Sequence, residues 1–355
     1  MEIEKIIKDG VLGQKAYPIE SRTCRIKLDA NENPYPLPLH LKEKIFSKID
    51  SLSLNRYPGA GSPEMRSSIA GNLGVGDDMI LIGNGSDELI QILLTAVKPE
   101  SAGGIMIPAP TFAMYRIGAV NAGHNVIEVP LDDRFDLPID KMLDIISEKS
   151  PSITFLSYPN NPSGNCFDAE KIKKIIEASD GIVVVDEAYF NFAKKTFLSY
   201  LEKWDNLVIL RTLSKVGLAA LRIGIMVGNP SLIHQLDKVR LPYNLNMVSQ
   251  AAGQLFIEHE KEFLPQIDYI ISGRDWLLDK LKDIEGIAPY PSDANFILFS
   301  CHGNKNSVYE GLIRRGILIK TFPSSGPLKD CMRVTVGTEG ENREFIESLR
   351  EVIIQ

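Results

Sequence analysis

A lysine and a carboxylate stand at chemically suggestive points of the chain. Asp186 ends the apolar run 181–185, and Lys215 ends the segment Arg211-Thr212-Leu213-Ser214, which follows another apolar run. A lysine amine can form a Schiff base with an aldehyde, and a carboxylate at the mouth of a buried strand can keep a ring nitrogen protonated. Pyridoxal phosphate (PLP) needs both groups. The pair therefore predicts a PLP site; a solvated lysine and an unrelated strand-end carboxylate are the ordinary alternative.

The segment Gly83-Asn84-Gly85-Ser86-Asp87-Glu88 could hold a phosphate. It lies between a strand-like run and a helical pattern, and its Gly, Ser and Asp residues favour a tight turn and a capped helix start. Backbone N–H groups at such a start bind phosphates. A plain capped helix is one alternative. A dinucleotide fingerprint is another, but it needs glycine where Glu88 stands.

Further polar side chains follow other predicted strands. The segment 157–164 contains two Asn, two Pro and a Gly, which predicts either a rigid turn or an Asn amide that bonds a phenolic oxygen of a cofactor. Tyr189, close behind Asp186, could reach the same oxygen. Arg222 begins another apolar run and suits two-point phosphate binding, with a surface ion pair as the alternative. Because an unpaired buried carboxylate is costly, Asp186 should have a cationic partner.

Short apolar runs alternate with amphipathic stretches from Ser62 to Gly228. The strand-like runs are Met79–Ile82, Gly104–Ile107, Val126–Val129, Ile153–Leu156, Ile182–Val185, Val208–Leu210 and Ile223–Val227. The helical patterns between them include Glu88–Val97, Met114–Ala122 and Ala169–Ala178. Strands that are apolar throughout and joined by helices predict an α/β fold with a mostly parallel sheet, covered on both faces. Ligands of such sheets bind at the carboxyl ends of the strands.

The pattern changes beyond Pro230 to that of a smaller α+β unit. Predicted helices (Leu232–Val239, Val248–His259 and one through Lys282) lead to strands at Asn295–Phe299, Ile317–Lys320 and Arg333–Val336 and a last helix at Arg343–Val352. The chain has 355 residues, more than one core usually serves. We predict an irregular N-terminal arm over 1–35, a large domain over 36–250 and a small domain over 251–355.

Composition excludes several function classes. The net charge of −7 leaves no basic excess for non-specific binding to nucleic acid. The four cysteines are dispersed without a Cys-x-x-Cys pair, which argues against a disulfide framework or a metal site and favours a reducing cytoplasm. The N-terminus lacks a signal-peptide pattern, and no apolar stretch approaches the roughly 18 residues of a membrane span.

Taken together, these segments resemble PLP-dependent enzymes of the aspartate-aminotransferase fold, and most strongly the histidinol-phosphate aminotransferases. The order and spacing of five residues carry the resemblance: Asn161, Asp186, Tyr189, Lys215 and Arg222. Further matching pieces are Leu28-Asp29-Ala30-Asn31-Glu32-Asn33-Pro34, Arg56-Tyr57-Pro58, Pro110-Thr111-Phe112-Ala113-Met114-Tyr115, Leu241-Pro242-Tyr243-Asn244 and Arg333-Val334-Thr335-Val336-Gly337-Thr338. The resemblance covers nearly the whole chain. It implies the type I fold of PLP enzymes, with a mostly parallel seven-stranded sheet in the large domain.

The resemblance also implies roles at the cofactor. Lys215 would form the Schiff base and then carry the proton between the substrate Cα and the cofactor C4′, while Asp186 pairs with the pyridinium nitrogen. Asn161 and Tyr189 would bond O3′, and Tyr115 would stack on the ring. The implied phosphate-binding residues are Gly85, Ser86, Asp87, Thr212, Ser214 and Arg222. Tyr57 would reach the phosphate bound by the partner subunit, so that a homodimer shares its active sites.

At the substrate end, the resemblance implies that Arg333 binds the anionic group, either a carboxylate or a phosphate, and that Tyr17 and Asn33 of the arm help to close the site. Two departures stand out. The step from Lys215 to Arg222 is one residue shorter than is common in the family, and Lys320 stands where an Arg is expected. Lys320 supplies positive charge without the planar fork of Arg.

The implied reaction is the transamination of L-histidinol phosphate with 2-oxoglutarate, which gives imidazole-acetol phosphate and glutamate. A threonine-phosphate decarboxylase and an aromatic-amino-acid aminotransferase of the same fold are alternatives. A PLP-fold regulatory module is less favoured, because the fold accounts for the whole chain. A nicotinamide-dependent oxidoreductase is disfavoured by the glycine spacing around Gly85.

Overall fold

Two β-sheets organise the part of the chain that the structure, a computed structural model, describes: residues 2–14, 20, 22–99, 103–301 and 305–354. The strands are β1 (Ile26–Leu28), β2 (Ile80–Asn84), β3 (Ile105–Ala109), β4 (Val126–Pro130), β5 (Ile153–Ser157), β6 (Ile182–Asp186), β7 (Leu207–Thr212), β8 (Ile223–Gly228), β9 (Ile287–Pro289), β10 (Phe296–Cys301), β11 (Ile317–Thr321) and β12 (Cys331–Thr335). The helices are α1 (Asp9–Leu12), α2 (Leu39–Asp50), α3 (Pro63–Leu73), α4 (Ser86–Ala96), α5 (Ala113–Ala122), α6 (Ile139–Lys149), α7 (Ala169–Ala178), α8 (Phe190–Ala193), α9 (Pro230–Asp237), α10 (Met247–Glu258), α11 (Leu264–Lys282), α12 (Lys305–Arg314) and α13 (Glu339–Ile354).

The larger sheet has seven strands in the order β2-β8-β7-β6-β5-β3-β4. Strand β8 runs antiparallel to β2 and β7, and the other neighbours are parallel. The prediction of a mostly parallel seven-stranded sheet is confirmed. In the register of this sheet Ser157 pairs with Asp186 and Asp186 with Leu210. The carboxyl ends of β5, β6 and β7 therefore lie side by side, where a ligand of such a sheet binds.

Helices cover both faces of this sheet, as the apolar strands predict. In β6, Val183 and Val185 join the core on one face and Val184 joins the core on the other. Strand side chains alternate between faces, so a run of valines buries both. Leu93 of α4 packs on the same face as Val184, and Ile172 of α7 packs on the opposite face.

The smaller sheet has five strands in the order β1-β11-β12-β10-β9, with β1 parallel to β11 and the other pairs antiparallel. The expectation of an irregular N-terminal arm is wrong at Ile26–Leu28, because these residues add a strand to this sheet. Three residues are too short a run for periodicity to reveal. Strand β9 was also missed for the same reason. The three strands predicted for this region correspond to β10, β11 and β12.

The chain passes from one core to the other within α11. Ile267 and Ile270 pack in the core of the seven-stranded sheet, whereas Leu277 and Leu281 pack in the core of the five-stranded sheet. This transition comes later than the boundary that we predicted between residues 250 and 251. None of the described helices is both long enough and apolar enough to cross a membrane.

Candidate active site

A cavity of about 710 Å³ lies between the carboxyl ends of strands in the large sheet and strands β11 and β12 of the small sheet. It has the size of a typical small-molecule site. The predicted residues that it brings together are Ser86, Asp87, Asn161, Asp186, Tyr189, Thr212, Ser214, Lys215, Arg222, Lys320 and Arg333. Residues more than two hundred positions apart in sequence thus meet around one volume.

Asp186 is the buried acid of the cavity. Its Oδ2 accepts a hydrogen bond from the Tyr115 hydroxyl (2.6 Å) and its Oδ1 accepts one from the Ala188 N–H (3.0 Å). Burial raises the pKa of Asp186 to about 6, although both hydrogen bonds favour the charged form. A cationic group placed against this carboxylate would offset the cost of burying it.

Tyr115 does not take the place that we predicted for it. Its side chain is fully buried, stacks on Phe155 with ring centroids 4.7 Å apart, and donates to Asp186 from behind. It therefore cannot stack on a ligand in the cavity, because it lies within the first turn of α5 and points into the core. Phe112, which precedes α5, does line the cavity and presents an aromatic ring to it. Its place directly after β3 was the signal that we overlooked.

Lys215 faces the cavity from a π-helical turn, Ser214–Leu218, that follows β7. Its Nζ lies 3.4 Å from the Ala30 carbonyl oxygen and 5.9 Å from the centre of the Tyr189 ring. Burial, together with the positive charge of Arg333, lowers the pKa of Lys215 to about 8. At this pKa about a tenth of the Lys215 amine is neutral at pH 7 and about half at pH 8, and the neutral amine is the nucleophilic form.

An anion cradle lies at the start of α4. The helix is capped by Gly85, which contributes no side chain and has a φ of 80°, so the first-turn N–H groups face the cavity. Arg222 reaches the same point: its Nη1 donates to Ser214 Oγ (3.3 Å) and its Nη2 pairs with Asp87 (3.0 Å). The hydroxyls of Ser214 and Thr212 lie 2.9 Å apart. The cradle combines a helix N-terminus, a guanidinium and two hydroxyls.

Two glycines make this cradle possible. A Cβ on Gly85 would lie 2.5 Å from Arg222 Nη2, and a Cβ on Gly224 would lie 2.4 Å from the Gly85 carbonyl carbon. Both contacts are shorter than real Cβ atoms tolerate. The close approach of β8 to the start of α4 thus requires glycine at position 224, where the added Cβ would meet backbone. At position 85 the positive φ of 80° favours glycine, since the Arg222 side chain could shift.

Asn161 and Tyr189 offer further hydrogen bonds in the cavity. The Asn161 Oδ1 accepts from Arg333, which leaves the amide NH₂ as the donor that Asn161 offers. The Tyr189 hydroxyl accepts from Asn31 Nδ2 (2.9 Å). Asn31 belongs to a motif that we noted without giving the residue a role.

The cationic end of the cavity lies on the small sheet. Lys320 of β11 and Arg333 of β12 are register partners, and both line the cavity. The Arg333 Nη2 donates to the Asp29 carbonyl oxygen (2.8 Å), and its guanidinium carbon lies 5.0 Å from the centre of the Phe296 ring. Burial and the charge of Arg333 lower the pKa of Lys320. Two positive groups side by side suit a doubly charged anion.

Behind the cavity, an ion pair that the sequence did not reveal braces the strand ends. Glu187 and Arg211 lie directly beside Asp186 and Thr212, and their closest atoms are 2.8 Å apart. The Glu187 side chain has no exposed surface, and it also accepts from the Phe197 N–H (2.6 Å). The pair therefore ties β6 to β7 where they present the reactive groups.

Three further predicted residues lie elsewhere. Asn33 does not line the cavity, contrary to the prediction that it helps to close the site: its amide donates to the Val216 carbonyl oxygen (3.2 Å) and to Gln266 (3.1 Å), behind the Lys215 turn. Tyr17 lies outside the described residues. Tyr57 is 78% exposed and does not line this cavity.

The residues present fit PLP. The buried Asp186 lines the cavity, where a protonated ring nitrogen would offset its burial cost, and the glycine-built cradle suits a phosphate. The Lys215 amine, with its lowered pKa, suits an aldehyde.

Comparisons with known proteins agree with this geometry. Residues 24–349 match the family "Aminotransferase class I and II". The chain is 43% identical to "Histidinol-phosphate aminotransferase 2" of Nitrosococcus oceani, over 97% of this chain and 96% of the relative. It is 36% identical to the histidinol-phosphate aminotransferase of Aquifex aeolicus, over 96% of each chain. The crystal structure of the Sinorhizobium meliloti histidinol-phosphate aminotransferase with pyridoxal-5′-phosphate has the same fold, with a TM-score of 0.88 over 98% of each chain at 22% identity.

The chain belongs to the class I and II aminotransferases. It is a PLP-dependent aminotransferase, and the two relatives described above are named histidinol-phosphate aminotransferases.

Proposed function

We propose that this protein exchanges the amino group of L-histidinol phosphate with 2-oxoglutarate, a reaction of histidine biosynthesis. The observation that carries the proposal is the pairing of Lys320 with Arg333 on neighbouring strands of the cavity wall. Lys320 and Arg333 line the same cavity as the Lys215 amine. A substrate with an amine at one end and a phosphate at the other would span this arrangement. The names of the relatives support the same assignment.

PLP, when bound, supplies the electron sink that makes the substrate Cα–H bond acidic. Asp186 would hold the ring nitrogen in its protonated form, and Asn161 and Tyr189 would donate hydrogen bonds to O3′. Phe112 would lie against the ring. The cradle of Gly85, Ser86 and Asp87 with Thr212, Ser214 and Arg222 would hold the cofactor phosphate. Asp87 is paired with Arg222, so its charge opposes the bound phosphate less.

Lys215 would bond the cofactor in the resting enzyme and, once the substrate amine replaces it, carry the proton at Cα. The depressed pKa of about 8 suits both duties, because the neutral amine is the nucleophile and the base. The positive charge of Arg333 helps to lower this pKa. Binding of an anion against Arg333 would therefore raise the proton affinity of Lys215 at the moment when it must act as base.

The cationic pair would serve both substrates. A phosphate can take two hydrogen bonds from the Arg333 fork and a third from Lys320, while the side-chain carboxylate of glutamate would need the fork alone. Lys320, where the family commonly has Arg, supplies a point charge rather than a second fork. We therefore expect the Lys320 contribution to be mainly electrostatic and sensitive to salt.

We also propose that the protein acts as a homodimer with shared active sites. Tyr57 is 78% exposed and stacks on Tyr243, with ring centroids 4.5 Å apart. Their sequence neighbours Leu54 and Leu241 are 68% and 69% exposed. Exposed apolar side chains of this size favour burial against a second copy, which would bring Tyr57 to the partner's cofactor phosphate. Analytical sedimentation should then show a dimer. Tyr57→Phe should weaken PLP binding and leave the dimer intact.

A cytoplasmic location is proposed on two observations. All four cysteines are free, as in a reducing compartment, and the reaction needs small metabolites of the cell interior. Fractionation of cells that express the full chain would test it; recovery in the periplasm would refute it.

A substrate panel tests the proposed reaction. The purified holoenzyme would be assayed with 2-oxoglutarate and each of L-histidinol phosphate, L-histidinol, O-phosphothreonine and phenylalanine. We expect kcat/KM for histidinol phosphate to exceed the value for each of the other three substrates by more than tenfold, which corresponds to about 1.4 kcal/mol in transition-state binding. Release of carbon dioxide from O-phosphothreonine without consumption of 2-oxoglutarate would instead identify a decarboxylase. A preference for phenylalanine would identify an aromatic aminotransferase.

Variants of Lys320 connect the panel to the structure. Lys320→Met should lower kcat/KM for histidinol phosphate by about tenfold or more, since a charged hydrogen bond contributes about 1.5–3 kcal/mol, and should leave L-histidinol nearly unaffected. Lys320→Arg should retain activity. Lys27→Met is the matched control, because Lys27 also lines the cavity and its Nζ is held by Glu32 (3.0 Å). Equal losses in Lys320→Met and Lys27→Met would contradict the assignment.

A further inference from the structure

Asn31 lies at the junction of the N-terminal segment, the small sheet and the cavity. It is 2% exposed and has a φ of 55°, a left-handed conformation that Asn tolerates better than most residues. Its backbone N–H donates to Thr335 Oγ1 (3.0 Å), and its carbonyl accepts from Asn295 Nδ2 (3.1 Å). Both partners belong to the small sheet or its edge. Hydrogen bonds from the small sheet, which also carries Lys320 and Arg333, thus fix the backbone of Asn31.

Both ends of the Asn31 side-chain amide are hydrogen-bonded. Its Oδ1 accepts the Thr335 hydroxyl proton (3.2 Å), and its Nδ2 donates to the Tyr189 hydroxyl oxygen (2.9 Å). The Thr335 hydroxyl thus fixes which end of the amide faces Tyr189: the oxygen faces Thr335 and the NH₂ faces the phenol. Because the buried amide donates to the phenol oxygen, the single Tyr189 proton must point away from Asn31.

We propose that Asn31 is a positioning residue that acts through Tyr189 on the cofactor. The inference rests on the proposed function in one respect, the placement of Tyr189 against the cofactor O3′. Tyr189 lines the cavity beside Lys215, so a proton directed away from Asn31 can be donated to O3′. Asn31 thereby strengthens the hydrogen bond that stabilises negative charge on O3′.

The arrangement also connects substrate binding to the cofactor. Thr335 lies two residues from Arg333 on β12, on the same face of the strand because side chains alternate. Thr335 and Asn31 therefore link the strand that carries Arg333 to the Tyr189 hydroxyl by hydrogen bonds.

The consequence for protonation has a definite sign. With PLP bound, O3′ would carry its negative charge without a neighbouring proton once the Lys215 nitrogen is deprotonated. A hydrogen bond donated by Tyr189 would favour that deprotonated form. Removal of the donor, or loss of its orientation, must therefore raise the pH at which the nitrogen deprotonates.

The test is a pH titration of the cofactor absorption band in the holoenzyme. We expect Asn31→Ala to raise the midpoint by at least about half a pH unit, roughly a threefold change in proton affinity, and Tyr189→Phe to raise it further. The double variant should match Tyr189→Phe within about 0.2 pH units, because Asn31 acts only through the phenol. Additive shifts, or a wild-type midpoint in Asn31→Ala, would overturn the inference.

A second pair of variants covers the case in which Asn31→Ala does not fold. Thr335→Val removes the hydroxyl that orients the amide while it keeps the side-chain shape, and should raise the midpoint. Thr335→Ser keeps the hydroxyl and should restore the wild-type midpoint. Equal midpoints in these two variants would overturn the inference even if PLP binds normally. A wild-type protein that shows no cofactor band would overturn the inference and the proposed function together.

Discussion

Replacement of Asp186 by Asn should stabilise the protein without its cofactor and impair the enzyme with it. Asp186 is 3% exposed, and burial raises the pKa of its carboxyl to about 6, from an ordinary value of 3.8. Asn has the same shape and no charge. The apoprotein would therefore lose a burial cost, whereas the holoenzyme would lose the anion that pairs with the protonated ring nitrogen.

The magnitude follows from the raised pKa. A shift of about two pH units corresponds to about 3 kcal/mol of unfolding free energy, at 1.36 kcal/mol per unit. Because the folded-state pKa is raised, the cost is absent below pH 3.8, grows as the pH rises from about 4 to about 6, and is then constant. The advantage of Asp186→Asn should accordingly be about 2 kcal/mol larger near pH 8 than near pH 4.5.

Urea unfolding of the two apoproteins at both pH values would measure this difference. The same variant should bind PLP less tightly and turn over more slowly at every pH. A stability difference that does not change with pH, or an apoprotein destabilised by the substitution near pH 8, would refute the reasoning. A holoenzyme with unchanged PLP affinity would refute the ring-nitrogen contact.

Three further predictions concern the groups around Asp186. The rate at which the apoprotein binds PLP should rise with pH, with a midpoint near 8, because the pKa of Lys215 is lowered to about 8. Arg333→Met should raise that midpoint, because it removes a positive neighbour of Lys215. Stopped-flow absorbance would measure both midpoints, and a wild-type midpoint near 10.5 would contradict the prediction. Glu187→Ala should lower the unfolding free energy by about 3–5 kcal/mol, because it removes the carboxylate that pairs with Arg211, whose side chain is only 12% exposed. A loss below about 1 kcal/mol in chemical denaturation would show that the pair is not structural. Gly224→Ala should reduce the free energy of PLP binding much more than the free energy of unfolding, since the added Cβ would push on Gly85 at the phosphate cradle. Equilibrium dialysis of PLP would measure the loss of binding, and unchanged binding would refute the close approach of β8 to α4.

The sequence predicted the large sheet well because its strands are unambiguous. The seven strands are short, mostly apolar runs bounded by turn residues, and the polar residues that we placed at strand ends line the cavity. Asp186 and Lys215 could be recognised because strand order brings the carboxyl ends of β6 and β7 together. Arg222 reaches the same edge because it comes directly before β8, which runs antiparallel to β7. The short strand at Ile26–Leu28 could not be recognised, because three residues carry no readable period and its pairing partner lies at Ile317–Ile319.

Side-chain direction explains the errors within the site. Tyr115 and Phe112 lie three residues apart around the start of α5, and only the backbone geometry decides that the tyrosine enters the core and the phenylalanine faces the cavity. The role of Asn31 depends on contacts with Thr335 and Tyr189, far away in sequence. Spacing alone carries no information about such contacts.

The central claim is that the Lys215 amine carries the cofactor and hence the amino-group transfer. Borohydride reduction of the holoenzyme, followed by peptide mass mapping, tests this claim most directly. The account predicts a single reduced PLP adduct on the peptide that contains Lys215, and no adduct in Lys215→Ala. An adduct on another lysine, or an adduct that persists in the Lys215→Ala variant, would contradict it.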